Sequence, residues 1–147
     1  MNNFGKFVVK MGLLSLLSVM PLAAQIDNGV VFSAPFPFYA GNVKLPAGSY
    51  KLTKLNINAQ ELLLQNSAHT DAVFIYFTPT TSVDPSKQSA VRFHKIGDTG
   101  YLRALSFAGE TDGIEFGRSK AEKKAAETAT VAENTDVVEH ATLVRGE

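Results

Sequence analysis

The chain has no cysteine. That absence excludes a disulfide framework and removes the lipid-accepting residue that a lipoprotein signal needs. No excess of either charge exists, because 14 Lys and Arg balance 14 Asp and Glu over 147 residues. The electrostatic footprint of a nucleic-acid binder is therefore missing. No apolar run reaches the roughly 20 residues that a comfortable transmembrane helix needs. What remains is 45% hydrophobic and 10% aromatic residues, the composition of one globular domain with an ordinary core.

The opening MNNFGKFVVKMGLLSLLSVMPLAAQ has the layout of a secretory signal. Lys6 and Lys10 form the positive n-region, and Met11 to Met20 is an uncharged apolar run followed by Pro21 and small residues. Cleavage after Ala24 is the expectation, giving a signal peptide over 1–24 and a mature chain from Gln25. The alternative is an uncleaved N-terminal anchor, for which the run is short. Export places the protein in the periplasm or outside the cell, with no membrane span after cleavage. Once Lys6 and Lys10 are removed, twelve basic face fourteen acidic side chains. A domain of roughly 90 residues without disulfides must then be held by its core alone.

From Gly29 to Gly117 the pattern has period two, in short runs broken by Gly, Pro, Asn and Asp, and no helix-period stretch interrupts it. A β domain over 25–117 follows. In VVFSAPFPFYAG the residues Val30, Phe32, Ala34, Phe36 and Phe38 share a face that should be buried. Pro35 and Pro37 lack N–H groups on one side of that strand, which reads as an edge strand; a polyproline-type ligand segment is the alternative. Leu45-Pro46-Ala47-Gly48 suits a type I turn. Strands follow from Tyr50, over Glu61 to Gln65, and over Ala72 to Thr78. The last, VFIYF, is apolar on both faces and reads as central. PTTSVDPSKQS reads as a loop.

Ala90 to Ile96 and Tyr101 to Phe107 pair as a hairpin around Gly97-Asp98-Thr99-Gly100, whose residues all suit a turn. Along its second strand, Tyr101, Leu105 and Phe107 compete with Leu102 and Ala104 for the core face. RSKAEKKAAET, residues 118–128, reads as a short basic helix with a capping box between Ser119 and Glu122. Its apolar face is only Ala121, Ala125 and Ala126. Residues 129–147 are polar and largely acidic without a usable period, and disorder is expected there. An outer-membrane barrel needs longer spanning strands than these runs supply.

Chemistry is sparse. His94 and Asp98 could serve as a base and its orienting carboxylate, with Ser106 as nucleophile. His69, Asp71, His94 and Asp98 could supply metal ligands if their loops met. The turn reading accounts for Asp98 and both glycines without chemistry, so no catalytic, metal or cofactor site is assigned. The basic helix suits an anionic surface or acidic partner, although without large apolar residues it cannot insert deeply.

The segments F-x-x-P-F-x-F (Phe32 to Phe38), LPAGSY (Leu45 to Tyr50), VRFHKIGD (Val91 to Asp98) and SKAEKKAA resemble a group of small exported bacterial proteins of acidobacterial type, described as hypothetical. The resemblance covers nearly the whole mature domain. It implies export and a shared β fold, and brings no activity or cofactor. The fold expected is all-β, a small β-sandwich or partly open β-barrel of about six to eight strands, with a short C-terminal helix and loose tail. The function expected is a noncatalytic exported binding or structural module for a small-molecule ligand or unknown protein, the ligand sitting at the loop ends or in the sheet mouth. The alternatives are a small exported hydrolase or metal-dependent enzyme using His94 and Asp98, and an envelope-associated interaction protein acting through the helix and tail.

Overall fold

Alternation along the first run sends Val30, Phe32, Ala34, Phe36 and Phe38 inward, and each is at most 9% exposed. The structure, a computed structural model, describes residues 29–56, 60–131 and 134–144. The signal over 1–24 lies outside the described residues. The elements are β1 (Gly29–Ala34), β2 (Phe38–Ala40), β3 (Val43–Leu45), β4 (Gly48–Asn56), β5 (Glu61–Asn66), β6 (Ala72–Tyr76), β7 (Thr78–Thr81), β8 (Ala90–Ile96), β9 (Thr99–Ser106), β10 (Asp112–Glu115), α1 (Lys120–Thr128) and β11 (Asn134–Val144).

The strands form one sheet in the order β3-β2-β9-β8-β11-β1-β4-β5-β6, with β10 joining β7 to β9. It curls into a nearly closed barrel, so the all-β expectation holds in its partly open barrel form. Neighbouring pairs are antiparallel except β2 with β9. Strand number exceeds the expected six to eight because the proline-rich run divides in two, because β7 and β11 arise where a loop and a tail were expected, and because β10 forms where no individual strand was assigned.

Inside the barrel the aromatic residues interlock. Phe38 meets Tyr50 at 5.0 Å and Phe93 at 5.2 Å, both edge to face, and Phe36 meets Phe93 at 5.4 Å in the same way. Such edge contacts add to the burial of large rings, each pair contributing about 0.5–1.5 kcal/mol beyond area. The Tyr50 hydroxyl donates to the Pro46 carbonyl across the LPAGSY turn, tying β4 back to its own entry. Burial, with the Asp71 charge second, pushes the Tyr50 phenol above its ordinary pKa.

Four expectations change. Residues 134–144 are not disordered: β11 lies between β8 and β1, with Val137 opposite Phe93 and Ala141 opposite Phe32. Main-chain ladders on both sides stabilise this strand, and they do not require the apolar alternation that its sequence lacks. The proline run is no edge strand, since β1 pairs with β4 and β11, and the prolines occupy the break before β2 where no ladder N–H is required. VFIYF is not central: β6 ends the sheet, and Phe74 and Tyr76 are 60% and 72% exposed.

The fourth concerns the hairpin, where Ile96 pairs with Thr99 and leaves a two-residue turn of Gly97 and Asp98. Gly97 alone takes positive φ (59°), as in a glycine-first type II′ turn. Gly100 serves a different purpose: a Cβ there would sit 2.5 Å from the Phe36 ring, and its N–H donates to the Pro37 carbonyl.

Candidate functional site: the open barrel end and a buried carboxylate

Two concave regions hold the candidate residues, one at the end of the barrel and one on its outer wall. The first forms where β1 begins and β11 ends. Val30 is the inward residue before Phe32 on β1, and it faces Leu52 of β4 and Leu143 of β11 across the ladders. Beyond this ring the aromatic cluster fills the interior, but on the near side a cavity of about 440 Å³ stays open. Leu62, Phe77, Pro79, Leu105, Phe107 and Ile114 complete its apolar wall. Glu110 and Asp112, both exposed, line its edge. The volume falls within the roughly 300–1,000 Å³ of small-molecule sites, which combine an apolar lining with a few polar groups.

The second region grows from a β-bulge. Between β8 and β9 the register shifts, with Phe93 opposite Leu102 but Arg92 opposite Ala104, so Arg103 has no opposite residue. The extra residue reverses parity, and both Leu102 and Leu105 face the core at 3% exposure. This resolves the competition between the two sets of β9 residues, because each set supplies one of them.

The bulged Arg103 reaches α1, where Nη1 lies 3.4 Å from Oε2 of Glu122. His94 Nδ1 lies 2.8 Å from Oε1 of the same carboxylate, and Arg118 Nε lies 3.6 Å from it. Glu122 is 1% exposed. Half of the expected capping box is present, since the Ser119 hydroxyl accepts from the Glu122 N–H at 3.0 Å. The Glu122 side chain turns instead to the sheet, where the three basic groups balance its desolvation. Its charge also contributes, after burial and Tyr39, to raising the Tyr101 phenol above its ordinary pKa. The groove around it, about 390 Å³, is lined by Arg92, Glu115 and Asp136 besides these groups and Ala104, and holds no serine, threonine or cysteine.

The residues weighed for catalysis or metal binding are dispersed. Asp98 sits in the β8–β9 turn, and Ser106 lies opposite Ala90, farther from that turn than His94, with its hydroxyl directed at the Ala90 carbonyl. His94 takes Glu122 rather than Asp98 as its carboxylate. His69, at φ 57°, and Asp71 occupy the β5–β6 turn, where Asn66 Nδ2 donates to the Asp71 carboxylate at 3.0 Å. Along the sheet order β5 is four strands from β8. Among the described residues no group of three or more His, Asp or Glu is placed to hold a metal ion.

Glu122 was readable in the sequence only as a capping residue, and Arg103 not at all, because a bulge leaves no signature in alternation. The residues around the barrel end were not named from the sequence, which pointed only to loop ends or the sheet mouth as the expected place for a ligand. No protein-family model, curated protein or solved structure matches the chain.

Proposed function

We propose that the protein is an exported, noncatalytic binding module that holds a small, largely apolar molecule in the open end of its barrel. The observation that carries this reading is the cavity of about 440 Å³ with Leu52, Leu62, Leu105, Phe107 and Ile114 in its wall. Water in such a space meets few hydrogen-bond partners, so an apolar occupant is favoured by roughly 25 cal/mol per Å² of apolar surface covered. Export rests on the signal layout of residues 1–24.

The hydrolase alternative gains a base and carboxylate in His94 and Glu122 but has no nucleophile lining their groove. An interaction role through the C-terminal region would draw on α1, since residues 134–144 belong to the sheet.

The protein contains no tryptophan, so Phe107→Trp puts a single reporter at the cavity wall. Titration of that variant with a short apolar amphiphile should shift emission to the blue and saturate. Native mass spectrometry of protein purified without refolding from the producing cell should show a retained small molecule. An unmoved spectrum together with a bare mass would overturn the reading.

A further inference from the structure

We infer that the barrel end selects amphiphiles with a cationic head, an alkylamine or alkylammonium group, over those with an anionic one. This rests on the proposed binding role and adds the chemical class of ligand to it. The wall of the cavity accepts an apolar body of any kind and sets no polarity at its opening. Among the described residues, the charged side chains that line it are Glu110 and Asp112, and both are acidic.

Among the described residues neither carboxylate forms an ion pair. Asp112 Oδ1 accepts a hydrogen bond from the Thr81 hydroxyl at 3.1 Å, a neutral partner that orients the group without cancelling its charge. Arg103 and Arg118 line the other groove and not this one, and Arg92, which also borders a smaller pocket beside Asp112, does not line the cavity. A carboxylate or sulfate head seated at the opening would therefore meet two like charges, whereas an ammonium head would meet two opposite ones beside an apolar wall. Because Glu110 and Asp112 are exposed, the head stays at the water boundary while the chain enters the barrel.

The test uses the full protein and three probes with the same ten-carbon chain, decylammonium and decanoate below their micelle concentrations and decanol below its solubility limit, followed by titration calorimetry at neutral pH. Decylammonium should bind about tenfold tighter than decanoate, with decanol between them, and the gap should narrow as salt rises. In the Glu110→Gln, Asp112→Asn double variant the three affinities should converge while decanol binding is unchanged. A thermal melt matching the parent chain confirms that the variant is folded. Equal affinities in the parent, or a gap that survives the double variant, would overturn the head-group preference and leave the binding role standing. If decanol and both charged probes all fail to bind, the binding role falls and the preference with it.

Discussion

Nδ1 of His94 on β8 lies 2.8 Å from Oε1 of Glu122 on α1, and this contact joins the helix to the barrel through a carboxylate that is 1% exposed. Alanines alone supply little docking area, so charge and hydrogen bonding hold the helix. Glu122→Ala should weaken that docking by about 2 kcal/mol, less than for a fully buried pair because His94, Arg103 and Arg118 can reach water. Hydrogen exchange over 120–128 should rise by more than tenfold while amides of β8 stay protected. Unchanged helix protection would show that α1 docks by other means.

A chain ending at Thr128 lacks β11, so β8 keeps only β9 and β1 keeps only β4 as a neighbour. Val30, Phe32, Val91 and Phe93 lose their cover along that seam. Marginal stability of about 5–15 kcal/mol does not survive such a loss, and the truncated chain should show no cooperative melt by circular dichroism. A native-like melt would mean that β11 is accessory.

Tyr50 has a pKa raised above 10.0 in the folded state, by burial first and by the Asp71 charge second. Below pH 10 both states keep the proton. As pH climbs past 10 the unfolded chain releases it first, so stability is complete below that pH and is lost as pH rises towards the folded-state value. Urea unfolding between pH 8 and pH 11 should show this decline. Tyr50→Phe should cost about 1 kcal/mol at neutral pH through the lost bond to Pro46 and should flatten part of the alkaline fall.

Phe77 donates its N–H to the Gln60 carbonyl at 3.0 Å, which by alternation turns the N–H and C=O groups of Ala72, Phe74 and Tyr76 to the free edge of β6. The segment from Ala72 to Thr78 carries no charge, and charge is a usual protection for an edge. Phe74→Lys should lower the weight-average mass measured by sedimentation at high protein concentration, with the thermal melt changed by no more than about 0.5 kcal/mol. Identical masses for the two chains would remove β6 from any self-association.

The inner face of β1 and β2 was legible because five alternating apolar residues leave no other arrangement that buries them. The β8–β9 hairpin was legible because glycine at its turn has a local cause. VFIYF misled, since an apolar run shows burial tendency but not position in the sheet; Ile75 and Phe77 are buried while Phe74 and Tyr76 are not. In β11 the inward residues Val137, Ala141 and Leu143 are interrupted by Glu139, which erased the period that would have announced a strand. The His94 partner was missed for a related reason. A contact 28 residues away depends on where α1 returns to the sheet, and no local pattern encodes that.

Sequence by itself determined the class of the fold, the aromatic interior and the turns, because alternation, proline and glycine act through the residues beside them. Tertiary structure decided the rest. Which strand stands at the edge, that the chain's last strand lies between β8 and β1, and that Arg103 and His94 converge on Glu122 all follow from pairings between distant segments. Main-chain ladders join such segments without reading their side chains, so neither the order of the strands nor the open end they enclose leaves a mark in local composition.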